Sequence, residues 1–182
     1  APAGRRCYVL DTSVLLSDPR SPLRFDEHLV VIPLVVLTEL EGKRNHPELG
    51  WSARQSLRLL EELRVAHGSL TAPIPVNDRG GVLRVEVNHQ DRSLLPDAFS
   101  HDSNDHRILA VAVNLAAEGD DVVVVSKDLP LRLKASVIGL AAEEYRNELA
   151  ADSGWTGMTE LDVAPGIIDD LFEDRVVDLF EA

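Results

Sequence analysis

Four acids stand where apolar runs give way to polar residues. Asp11 closes Cys7 to Leu10, and Asp128 follows Val122 to Val125 after Ser126 and Lys127. Glu39 lies just beyond Leu29 to Ile32, and Asp105 opens a long apolar-periodic stretch. Carboxylates gathered in one place raise each other's pKa unless bases or a divalent cation neutralise them. Carboxylate and water ligands select Mg2+ or Mn2+ over zinc or copper. Such an ion lowers the pKa of a bound water and stabilises charge developing on a phosphodiester, and a second ion holds the leaving oxygen. If the four acids converge, the expected chemistry is that of a metal-dependent nuclease. His101 and His106 flank Asp105 and would suit a softer metal, a weaker expectation because loop histidines without an orienting partner are more often simply exposed.

Each acid also has an ordinary use. Asp11 and Asp128 are placed to cap helices, Pro130 being at the second helical position after Asp128, and Asp102 or Ser103 could cap the helix holding Asp105. Glu39 could be a solvated helix residue, and Asp120 and Asp121, at the opposite end of a strand, should be solvated. Taken singly, these uses are at least as good as metal ligation. Four such acids at one predicted sheet edge favour the joint reading.

The elements that would bring them together follow from periodicity. Cys7 to Leu10, Leu29 to Ile32 and Val122 to Val125 read as strands buried on both faces. Leu34 to Lys43, Trp51 to Ala66, Asp105 to Glu118 and Leu129 to Val137 read as helices, with a further short helix from Thr12 to Ser17. In the second helix Leu57, Leu60 and Leu63 form the expected apolar stripe. Val82 to Val87 alternates imperfectly and suggests a half-exposed edge strand, Leu140 to Ala142 a short last strand, and the polar stretch up to His101 a loop. Strands separated by helices imply an α/β fold: a three-layer α/β/α sandwich around a mainly parallel, Rossmann-like sheet. At its carboxyl edge, where ligands of open α/β sheets sit, all four acids would lie.

Composition bounds the rest. The 182 residues suffice for one ordinary core, no apolar run approaches the length of a membrane span, and the first residue, Ala1 rather than Met, suggests a trimmed chain. Cys7 is the only cysteine, which excludes an internal disulfide and a thiolate zinc cage and fits a reducing cytoplasm. The net charge of −13 argues against a nucleic-acid partner, but ten acids and one base fall in residues 148–182, leaving 21 acids and 17 bases elsewhere. Bases that could hold phosphates near the acids are Lys43, Arg44, Arg54, Arg58, Arg107, Lys127, Arg132 and Lys134. No GxxxxGK[ST] loop, strand-following GxGxxG or GxSxG elbow occurs.

The segments VLDTSVLL at 9–16, VVLTELEGK at 35–43, SNDHRILAVA at 103–112 and VVVSKDLPLRLKA at 123–135 resemble, in order, the four acidic motifs of the PIN-domain nucleases. ELEGKR, and SKDLPLRLKA followed by GLAAEEY, look most like the PIN domain at the front of PhoH-like proteins, where a P-loop ATPase follows. The resemblance implies that Asp11, Glu39, Asp105 and Asp128 hold Mg2+ or Mn2+, with Ser13 and Ser126 as supporting hydroxyls. Glu41 competes with Glu39, and Asp102 with Asp105. It implies a PIN-like domain over residues 1–150 and an acidic connector over 151–182 leading to a downstream domain. It also implies single-stranded RNA as substrate, with an antitoxin-like protein and a second copy of the chain as further candidate partners. Rival readings are a non-catalytic RNA- or protein-binding module and a structure-specific DNA nuclease. Aromatic residues are few, so weak sequence preference is expected.

Overall fold

The computed structural model describes residues 4–99 and 101–146, and the connector expected at 151–182 lies outside them. Six strands form one sheet: β1 (Arg6–Leu10), β2 (Leu29–Pro33), β3 (Ile74–Pro75), β4 (Val82–Glu86), β5 (Asp121–Ser126) and β6 (Ala141–Glu144), in spatial order β3-β4-β2-β1-β5-β6. All neighbours pair in parallel except β3 with β4. Five helices connect them: α1 (Thr12–Ser17), α2 (Leu34–Gly42), α3 (Gly50–His67), α4 (Asn104–Ala117) and α5 (Leu129–Val137). Successive residues Cys7, Tyr8, Val9 and Leu10 are all buried, as are Val122 to Val125, so both sheet faces are covered. This is the expected α/β architecture.

The register fixes the site. Leu10 pairs with Val125 and Val9 with Val31, so the strands β2, β1 and β5 end side by side. Asp11 N donates to Val125 O at 3.1 Å, carrying the pairing one residue past β1.

Several local expectations are corrected. Val82–Glu86 is an inner strand, because the two-residue β3 covers its outer side. The polar stretch before His101 contains two short 3-10 turns, Arg92–Leu94 and Asp97–Phe99. In α3 the buried line is Ala53, Ser56, Leu59 and Leu60, with Leu57 and Leu63 only half-buried. Its small members let α3 approach α1 closely enough for Ser56 Oγ to donate to Leu15 O at 3.0 Å. Ser103 caps α4, accepting from His106 N, and Asp128 makes no side-chain cap on α5.

The β3–β4 hairpin hangs on Asn77. Its amide donates to Leu23 O and Asp26 O and its carbonyl accepts from Arg79 N and Gly81 N. Gly81 sits so close that a Cβ there would lie 2.3 Å from Asp26 O and 2.4 Å from Asn77 Nδ2. Gly42, by contrast, has nothing within 4 Å of where its Cβ would be. Gly81→Ala should therefore cost about 1–3 kcal/mol in chemical denaturation, whereas Gly42→Ala should be neutral or stabilising. Equal midpoints for the two variants would contradict this account.

A second clasp joins β4 to α4. His89 lies 3.0 Å from Glu86 through Nδ1 and 3.0 Å from Glu118 through Nε2, and Arg84 reaches Glu86 at 3.2 Å. Burial would raise the Glu86 carboxyl, but contacts with His89, Asn88 N–H and Arg84 outweigh it and hold it below the usual range. The nearby Glu86 carboxylate raises His89, against burial and with help from Glu118. A raised histidine stabilises the fold fully below its unfolded value near 6.5 and loses that contribution as pH rises through the folded value. The melting temperature of His89→Gln should thus trail wild type at pH 6 and converge with it by pH 9, and a gap that persists at pH 9 would exclude an ionic clasp.

Candidate active site

The sequence Leu10-Asp11-Thr12-Ser13 places a carboxylate where β1 stops and α1 starts. Asp11 is the N-cap of α1, with φ −81° and ψ 159°, and Oδ1 accepts from Thr12 N at 2.7 Å. Oδ2 accepts from Ser13 Oγ at 2.6 Å and Ser126 Oγ at 2.7 Å. Asp11 is only 7% exposed, so these three donors replace the water it has lost. Each hydroxyl passes the link onward: Ser13 Oγ accepts from Lys127 N at 3.0 Å and Ser126 Oγ from Asp128 N at 2.9 Å. The turn after β5 is thereby fixed by the acid at the end of β1.

The chain of bonds continues the other way. Thr12 Oγ1 donates to Glu39 Oε2, and Asn104 Nδ2 donates to Glu39 Oε1 at 2.8 Å. Asp105, the next residue, pairs through Oδ2 with Lys134 Nζ at 2.8 Å. Lys134 belongs to α5, the helix that Asp128 precedes, so a belt of contacts runs from Asp128 through Ser126, Asp11, Thr12, Glu39, Asn104 and Asp105 back to α5. The Asp128 carboxylate makes no hydrogen bond or ion pair with a described residue. Arg132, also on α5, donates to Ser126 O at 2.8 Å.

Not every expected residue joins the belt. Asp102 is held by Arg107 at 2.8 Å and Arg92 at 3.1 Å, and these contacts keep its carboxyl below the usual range, Arg107 contributing most. Arg107 is correspondingly occupied. His106 is buried, its Nδ1 2.6 Å from His101 O and its ring edge-on to Phe99, so it has a structural use. Glu41 is exposed on the turn after Glu39. Lys127 Nζ reaches Tyr145 O at 3.5 Å. Lys43 and Arg44 follow α2 and Arg54 and Arg58 lie along the first half of α3, none of them with a side chain hydrogen-bonded to a member of the belt. Thr12 and Asn104 are the members that sequence reasoning missed, although each is a short polar residue beside an expected acid.

Among the described residues no three Asp, Glu, His or Cys side chains are grouped so that they could hold a metal as they stand. The donor set nevertheless fits a hard cation. It is all oxygen, Asp11 is oriented by two hydroxyls, Asp128 is free of described partners, and the ammonium of Lys134 already sits on one carboxylate. Between α2 and α4 a cavity of ≈ 460 Å³ opens with Thr38, Arg92, Asp102 and Arg107 on its wall; none of the belt's acids lines it.

A parallel sheet carrying acids at the carboxyl ends of its central strands defines an α/β protein with a site at the strand ends. The chain belongs to the PIN-domain family, whose model matches residues 8–146, and PIN domains are in general metal-using nucleases. It is similar to the protein named PhoH2 in Mycolicibacterium smegmatis, with 61% identity over 177 residues, covering 97% of this chain and 40% of that protein. The PhoH2 proteins of Thermobispora bispora and Bacillus subtilis are 58% and 44% identical over 181 and 155 residues, covering 100% and 81% of this chain and 41% and 35% of theirs. The chain thus has the PIN domain of the PhoH-like type and spans about 40% of the length of these curated relatives. A domain of a functionally unknown protein from Methanocaldococcus jannaschii shares the fold, with a TM-score of 0.51, 19% identity, and coverage of 87% of this chain and 96% of that one. No helix among the described residues is long and apolar enough to cross a membrane.

The ammonium of Lys134 and a divalent ion would compete for Asp105. Lys134→Met should tighten Mn2+ binding roughly tenfold by calorimetry, since a unit charge a few ångströms from a divalent ion costs on the order of 1–2 kcal/mol even when well solvated. Weaker binding by the variant would show instead that Lys134 builds the site.

Proposed function

We propose that this chain is a divalent-metal-dependent endoribonuclease that cleaves single-stranded RNA, the nuclease half of a cytoplasmic PhoH-like protein whose P-loop ATPase half would feed it strand. The observation that carries this is the belt linking Asp11, Glu39 and Asp105 and the Asp128 backbone through hydroxyl, amide and ammonium groups at one sheet edge. Asp11, Glu39, Asp105 and Asp128 would hold Mg2+ or Mn2+. When bound, the ion supplies an activated water and stabilises charge on the phosphodiester.

This chain's own residues do the rest. Ser13 and Ser126 aim Asp11 and Thr12 and Asn104 aim Glu39, while Lys134 occupies Asp105 and would have to give it up to an ion. Groups held by such supporting bonds lose little freedom on engaging a ligand. Lys127 and Arg132 follow β5 beside Asp128, where they can meet a phosphate backbone. A flexible single strand suits an open edge of this kind, because its bases can splay away from the reacting phosphate.

With labelled single-stranded RNA and Mn2+, Asp11→Asn and Asp128→Asn should each cut cleavage by at least about a hundredfold. Asp128→Asn should leave the melting temperature unchanged. Cleavage that survives EDTA, or both substitutions, rules the proposal out. The Lys134–Asp105 pair favours a second reading, a non-catalytic RNA-binding module with structural acids. That reading requires no heat of Mn2+ binding and no Mn2+-dependent rise in melting temperature.

A further inference from the structure

We propose that the outer face of α3 binds single-stranded nucleic acid, with Trp51 stacking on a base while Arg20, Arg44, Arg54 and Arg58 hold the backbone. The inference deepens the ribonuclease reading and rests on its choice of a single-stranded substrate. Trp51 is 61% exposed, and among the described residues it is the one aromatic side chain left so open. An exposed indole presents a flat π-face on which a base can stack.

Its surroundings name the use. Two shallow concavities meet along α3. One, of ≈ 260 Å³, holds Trp51, Gln55, Arg20 and Arg58; the other, of ≈ 680 Å³, holds Arg44, Arg54 and again Arg58. Trp51, Arg54, Gln55 and Arg58 recur at steps of three and four and so share one side of the helix. The side chains of Arg20, Arg44 and Arg58 make no hydrogen bond or ion pair with a described residue. Of the acids lining the two concavities, Asp18 receives Arg24 and Tyr145 and Glu61 receives Arg64, leaving Glu62; Glu41 and Glu48 stand exposed at the margin, three residues before Arg44 and Trp51. Arg20, Arg44, Arg54 and Arg58 thus outnumber Glu62, Glu41 and Glu48, so on a chain of net charge −13 this face keeps a locally positive balance that attracts an anion.

An aromatic platform inside a basic groove selects the anion. A duplex hides its base faces and would leave Trp51 idle, whereas a single strand offers every base for stacking and every phosphate for arginine. The location fits the reaction as well. Helix α3 packs on α1 and α2, the helices that carry Thr12 and Glu39, so a strand lying on α3 can extend toward the acidic edge.

Intrinsic fluorescence tests this directly, because Trp51 and Trp155 are the only tryptophans. In Trp155→Phe protein titrated with a uridine 12-mer in EDTA, where no cleavage is required, Trp51 emission should be quenched to saturation. In the full chain Trp51→Ala should weaken 12-mer binding about tenfold by anisotropy, Trp51→Phe should restore part of it, and Arg58→Ala should lower the salt slope by about 0.7. Trp51→Ala within twofold of wild type, an unquenched Trp51 at saturation, tighter binding to duplex RNA of equal length, or no binding at all would each overturn the proposal. Quenching without any Mn2+-dependent cleavage would remove the ribonuclease reading and leave this surface standing, and cleavage without quenching the reverse.

Discussion

A carboxylate buried at the end of a parallel strand is costly unless donors reach it, and Asp11 obtains three: two from the first turn of α1 and one from Ser126 at the end of β5, 115 residues away in sequence. This demand organises the edge. Satisfying Asp11 requires Ser126 at the end of β5 and Ser13 in the first turn of α1, and the same hydroxyls then accept the Asp128 and Lys127 amides. One buried charge therefore fixes the cap of α1, the turn leaving β5 and the start of α5. An exposed acid could not have done so, because water would have met its needs.

The sheet order explains why the demand can be met. The chain moves from β1 to β2 on one side and later returns to place β5 on the other. At such a reversal the connections diverge and leave an open crevice at the carboxyl ends. The Ser126–Asp11 bond spans that reversal. With Glu39 entering from the helix after β2 and Asp105 from the helix before β5, residues more than a hundred positions apart have no other shared destination.

Fold and belt differ in how far the residues alone disclose them. Uninterrupted apolar runs such as Val122 to Val125 read directly as buried strands, since few other environments accept four consecutive branched side chains. The two-residue strand Ile74–Pro75 carries no such signal, and its absence from the reading turned Val82–Glu86 into an edge. Likewise Ala53 and Ser56 scarcely register as apolar, so the buried line of α3 is displaced from the leucines that suggested it. Acid positions were legible because each interrupts a hydrophobic pattern. Their partners were not, because a threonine or asparagine that aims a carboxylate looks like any other polar residue near a helix start, and Asp102 differs from Asp105 only through where Arg92 and Arg107 fall in space.

The spacing of the acids follows from what surrounds them. Four carboxylates at one edge repel, and the chain answers with neutral donors between neighbours and a single ammonium. Thr12 and Asn104 each satisfy an oxygen of Glu39 without bringing another acid closer, and Lys134 does the same for Asp105 with a full charge. Since Lys134 and Arg132 both reach back from α5, a two-residue step on one short helix ties the third motif to the fourth. The belt therefore ties all four motifs into one connected set of contacts at the sheet edge, Asp11 serving at once as the cap of α1 and as the link to β5, and Asp128 joining through its backbone amide.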